Sequence, residues 1–117
     1  MTEQREIDPF ISDEVIIKDP ERICEYEEIE AACNHLLVYL YRRDDAIKVP
    51  TRNDIIGLDK VLTIIKANSG IIVGQIPGLA MIQVEVTSEE ELLNLKRLLS
   101  KSPYVKSVSY NMTAVFE

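Results

Sequence analysis

A chain of 117 residues, 46% hydrophobic and 28% charged, can build one domain around a single core without disulfide or metal staples. Its formal charge of −7 excludes the basic footprint that nucleic-acid binding needs, and no apolar run approaches the ~20 residues that span a bilayer. The acidity is uneven: residues 1–35 hold 11 acids and 3 bases, whereas residues 36–117 hold 9 acids and 10 bases. The sequence thus divides into an acidic extension, 1–35, and a nearly neutral folded part, 36–117. Such an acidic block reads first as a solvated face and second as a docking surface for a basic partner.

The opening MTEQREIDPF has no apolar h-region, so no secretory signal is expected, and a cytoplasmic protein follows if Met1 is the native start. Residues 1–12 read as a polar arm apart from Phe10 and Ile11, and Val15-Ile16-Ile17 as a short strand or an extended strap. Asp19-Pro20 offers an N-cap followed by proline at the first helical position. Ile23, Tyr26, Ile29, Ala32 and Cys33 then recur at helical spacing, which predicts a helix over 20–33 with Asn34 as its left-handed cap. Cys24 and Cys33 lack CxxC spacing and have only His35 nearby, so they read as buried free thiols in a reducing compartment rather than a zinc site. His35, the single histidine, reads as structural.

LLVYLYRR, residues 36–43, fits either a continued helix or a buried strand. A first strand over 36–42 is favoured, with 46–50 the competing position. Thr51 or Asn53 is expected to cap a helix whose buried side is Ile55, Leu58, Leu62 and Ile65, with Val61 on its flank, and Asn68-Ser69-Gly70 stops it. The strands Ile71–Ile76 and Ala80–Val86 follow, joined by a type II turn at Pro77-Gly78. Gln83 and Glu85 alternate with Ile82, Val84 and Val86, predicting one dry face and one wet face. Ser88-Glu89-Glu90-Glu91 is a capping box opening a helix with Leu92, Leu95 and Leu99 inward. Tyr104 to Tyr110 is the last strand. A hairpin flanked by two amphipathic segments predicts an α+β, ferredoxin-like βαββαβ sandwich with an N-terminal helical extension.

Leu58 to Asn111 resembles the propeptide domain of subtilisin-like serine proteases. The shared pieces are Asn68-Ser69-Gly70, the "IPGL" of Ile76 to Leu79, the "QVEV" of Gln83 to Val86, the capped helix, and "SPYVKSVSYN" from Ser102 to Asn111. Pro103, Val105, Val108 and Asn111 match the family's ending, although the small residue usual at position 108 is valine here. The resemblance implies a domain that assists folding of a protease and then inhibits it, with the bare side of its sheet packed on the catalytic domain. It further implies that the C-terminal tail lies extended in the substrate cleft. On this sequence the partner-binding residues would be Tyr110, Asn111, Met112, Thr113, Ala114, Val115, Phe116 and Glu117. The implied partner is a subtilisin-like catalytic domain, in cis or in trans, with no cofactor, metal, nucleic acid or membrane.

Two other classes compete. One is a small ferredoxin-like regulatory or dimerisation domain without a protease partner. The other is an enzyme using Asp44, Asp45, Asp54 or Asp59 as acid-base groups. That option is weak, because these acids flank a loop and a helix start, where Asp serves capping and solvation.

Overall fold

The computed structural model describes residues 6–112. Its first regular element is not a helix. Ile23–Tyr26 (β1) and Ile29–Ala32 (β2) form an antiparallel hairpin, with Cys24 opposite Ala31 and Tyr26 opposite Ile29. The expected helix over 20–33 is therefore wrong. Its apolar stripe was real, but long-range pairing won over local periodicity. Glu27 and Glu28 both carry positive φ, 52° and 67°, as a two-residue hairpin turn of this kind requires. Glutamate in that conformation costs on the order of 1 kcal/mol per residue. A disulfide between Cys24 and Cys33 closes the hairpin, so the expectation of free thiols is also corrected. The inference to a reducing compartment loses its basis with them.

A second sheet holds four antiparallel strands in the order β4-β5-β3-β6. They are His35–Leu40 (β3), Ile71–Ile76 (β4), Met81–Glu85 (β5) and Val105–Tyr110 (β6). The ambiguous stretch is thus a strand at 35–40, and 46–50 is irregular. The helix Leu58–Ala67 (α1) lies between β3 and β4 in sequence, and Glu89–Ser100 (α2) between β5 and β6. Each helix therefore connects two parallel strands across an antiparallel neighbour.

Register assigns the faces. Leu36 lies opposite Val84 and Tyr110, Val38 opposite Ile82 and Val108, and Ile72 opposite Val84. These side chains join Leu58, Val61 and Ile65 of α1 and Leu92, Leu95 and Leu99 of α2 in one core. Phe10, Tyr26 and Ala31 belong to the same cluster, so the first thirty-odd residues share the core of the folded part.

Local chemistry explains most boundaries and corrects three. Thr51 opens only a 3-10 turn, Arg52–Asp54, where the Asp54 carboxylate accepts from the Thr51 N–H and hydroxyl, both at 2.9 Å. Helix α1 starts at Leu58 behind Gly57, whose φ of 68° favours glycine and where a Cβ would overlap the Tyr104 ring. The Pro77-Gly78 corner is a 3-10 turn rather than type II, and Ala80 carries the positive φ. The capping signal of α2 holds. Ser88 Oγ accepts from Glu91 N at 3.2 Å, while the Glu91 carboxylate reaches back to the Thr87 N–H and hydroxyl.

Candidate functional site: the strapped side of the sheet

The face of the sheet opposite the helices carries His35, Leu37 and Tyr39 of β3, Met81, Gln83 and Glu85 of β5, and Ser107 and Ser109 of β6. The alternation of β5 predicted this set as the wet side. Instead, Gln83 is 0% and Glu85 8% exposed. A strap, residues 7–18, which turns at 9–12, accounts for that burial through its last part, where Lys18 lies on Gln83 and Glu85.

Two glutamines hold the strap, one from each strand of the central hairpin. Gln75 of β4 accepts from the Phe10 N–H at 2.7 Å and donates to the carbonyls of Ser12 and Glu14 at 3.2 and 2.6 Å. Its backbone pairs in both directions with Ile16, at 3.0 and 2.7 Å, so the free edge of β4 is capped by one antiparallel bridge. Phe10 itself is driven into the core, and its carbonyl accepts from Arg52 N at 3.1 Å. Gln83 of β5 repeats the device further along. Its Oε1 accepts from the Lys18 N–H and its Nε2 donates to the Lys18 carbonyl, both at 2.9 Å. Gly74 is required beneath, because a Cβ there would collide with the Gln83 side chain and the Ile16 carbonyl.

Charge completes the fastening. The Lys18 ammonium donates to both Glu85 oxygens, at 2.8 and 2.9 Å, and His35 Nε2 contacts Glu85 Oε2 at 2.9 Å. Burial pushes the Glu85 carboxyl up, but the hydrogen bonds from Lys18 and His35 outweigh it and hold the group below its ordinary value. The remaining His35 nitrogen, Nδ1, lies 3.2 Å from Gln83 Nε2. His35 is therefore structural, as read from the sequence, and it also joins a network. A cavity of about 210 Å³ opens beside it, lined in part by Glu21, Arg22, Asn34 and Thr87.

The sequence-derived partner residues divide into three groups. Tyr110 and Asn111 are buried. The Tyr110 ring stacks on Tyr26 at 5.1 Å, and its hydroxyl donates to Glu27 at 2.6 Å, while Lys96 lies 5.0 Å from the ring centroid. Burial, then the Glu27 hydrogen bond and charge, raise the phenol well above its ordinary value. The Asn111 carbonyl accepts from Ala32 N at 2.8 Å, tying the end of β6 to the hairpin. Met112 is 38% exposed. Thr113, Ala114, Val115, Phe116 and Glu117 lie outside the described residues.

The acids considered for catalysis do not converge. Asp54 is engaged with Thr51, Asp44 caps its own loop through Ala46 N at 2.9 Å, and the Asp59 carboxylate faces solvent 3.9 Å from Arg52. Among the described residues, no group of three or more His, Cys, Asp or Glu side chains could hold a metal ion. No described helix is long and apolar enough to cross a membrane. A shallow apolar groove of about 470 Å³ runs along Ile64, Leu98, Pro103 and Tyr104, with Lys60 and Lys101 at its rim.

Sequence reasoning missed the strap's anchors. The signal was present in polar glutamines set within otherwise apolar strands, and in Phe10 isolated in a polar arm. No protein-family model, curated protein or solved structure matches the chain.

Proposed function

We propose that the chain is a propeptide-like module that assists folding of a subtilisin-like serine protease and inhibits it, with its C-terminal tail in the substrate cleft. In this reading the βαββαβ order of the larger sheet is ferredoxin-like, as the resemblance over Leu58 to Asn111 implies. The observation that carries the proposal is the ending of β6. Tyr110 and Asn111 are locked into the core, and Met112 reaches the surface, so the tail begins at a fixed point on the sheet. The strap covers the outer face at β4 and β5. Docking is then confined to the half formed by β3 and β6, where Tyr39 and Ser109 are half-buried and Ser107 is exposed. The Cys24–Cys33 disulfide fits an oxidising compartment, in which a protease secreted with its propeptide would fold.

One feature favours the runner-up, a self-contained regulatory domain: the strap already occupies the β4 edge and buries Gln83 and Glu85. Titrating the full chain against a subtilisin-like protease separates the two. The propeptide reading expects inhibition in the nanomolar-to-micromolar range. Deletion of Met112–Glu117 should weaken that inhibition far more than it lowers Tm. A folded chain without effect at high micromolar concentration defeats the proposal, and equal loss of inhibition and Tm on deletion makes the tail a part of the core.

A further inference from the structure

The two glutamine staples differ in one respect. Gln75 holds the strap through backbone groups that do not titrate over ordinary pH. Gln83 holds it while also touching an imidazole. Its amide orientation is fixed by Lys18: Oε1 must face the Lys18 N–H, and Nε2 must face the Lys18 carbonyl. Nε2 therefore donates to His35 Nδ1, which must be unprotonated to accept. The ring's single proton sits on Nε2 and is donated to Glu85.

A second proton on His35 has nowhere to go in this arrangement. Placed on Nδ1, it would point at the Gln83 NH2 group, donor against donor. Turning the amide over relieves that clash but sets Gln83 NH2 against the Lys18 N–H and Gln83 oxygen against the Lys18 carbonyl. Both backbone bonds to the strap are then lost together. We propose that His35, Gln83 and Lys18 form a proton-operated latch, in which protonation of His35 frees the Lys18 main chain from Gln83 of β5, with the Lys18 ammonium still on Glu85, while residues 10–16 stay fastened by Gln75.

The charged groups around the ring are few. Glu85 of β5 faces it directly, the Lys18 ammonium shares that carboxylate, and Glu21 and Arg22 line the adjoining cavity. The bonds from Lys18 and His35 hold the Glu85 carboxyl below its ordinary value, so a change between pH 7.5 and 5.5 does not belong to that carboxylate. Opening the latch uncovers Gln83 and the part of the β5 face beside it. The latch needs no protease partner.

Amide hydrogen exchange on the labelled full chain tests it, with rates corrected for intrinsic pH dependence. Between pH 7.5 and 5.5 the Lys18 amide should lose about tenfold in protection, the worth of one typical hydrogen bond. Phe10, whose N–H is held by Gln75, should be unchanged. His35→Gln should abolish the change at Lys18. Unaltered Lys18 protection in the parent chain overturns the latch, as does equal loss at Lys18 and Phe10 or an undiminished change in His35→Gln. Imidazole nitrogen shifts of the parent chain at pH 7.5 give a check that needs no variant. They should report the Nε2–H tautomer, and the opposite tautomer overturns the assignment.

Discussion

Residues 35–110 and residues 6–33 are held in different ways. The larger sheet and its helices are built from elements whose own sequence announces them: alternation in β5, a capping box at α2, and aliphatic stripes on both helices. The earlier segment has almost no such support. Its strap makes one isolated bridge, and its hairpin turns through two glutamates at positive φ. It stays in place through distant partners: Gln75, Gln83, Glu85, Tyr110 and the Asn111 carbonyl. The first region supplies most of the core; the second adds Phe10, Tyr26 and Ala31 to it and is otherwise fastened by polar contacts, its disulfide closing the hairpin on itself. Damage to the two regions should therefore look different.

The largest effect is expected from Leu95→Ala in α2. Leu95 is fully buried between both helices and the sheet, and truncation there should cost about 3 kcal/mol. Unfolding should remain a single transition, followed alike by far-UV dichroism and by tyrosine fluorescence. Separate transitions would mean that the N-terminal segment folds on its own, and the contrast would fail. The next effect is the disulfide. Cys24 and Cys33 are nine residues apart, so loss of the link in Cys24→Ser/Cys33→Ser should cost about 2–3 kcal/mol. Protease susceptibility should rise first around residues 19–34, with α2 still protected. A double mutant as stable and as resistant as the parent would show that the hairpin is held without the disulfide, by Tyr26 on Tyr110 and the bonds to Glu27 and Ala32.

The same contrast governs how much could be read from the sequence. The order of α1, β4, β5, α2 and β6 was legible because periodicity, capping and turn residues are local properties. The hairpin was not. Ile23, Tyr26, Ile29 and Ala32 recur every third residue, and nothing in that spacing reveals that Tyr26 stacks on a tyrosine 84 positions later. A Glu-Glu pair is also a poor advertisement for a turn that normally recruits Asn or Gly. In β5 the alternation itself was correct, yet the conclusion that Gln83 faces water was not. Period two assigns a residue to a face and is silent about what covers that face. The disulfide was equally hidden, because pairing depends on bringing Cα atoms together across a fold the cysteines do not specify.

The smallest predicted effect is on the acid limb of stability, and it probes the fastening rather than the core. Glu85 is held below 4.5 in the folded chain by Lys18 and His35 against the opposing push of burial. Its contribution is complete while both states are ionised. It declines once pH falls below the unfolded value, because the unfolded chain takes up the proton first, and it is gone below the folded value. In Glu85→Gln the amide oxygen still accepts from Lys18 and His35, but the titration is removed. The Tm of the parent should therefore fall by a few degrees more than that of Glu85→Gln between pH 5 and pH 3. Asp54 and Glu91 are also held low, but they are common to both proteins and cancel in the difference. Parallel curves would mean that burial offsets the ion pair completely and that the strap depends on its two glutamines alone. A divergence confined to this window, with none between pH 7.5 and 5.5, would separate the carboxylate's part in the fastening from the imidazole's.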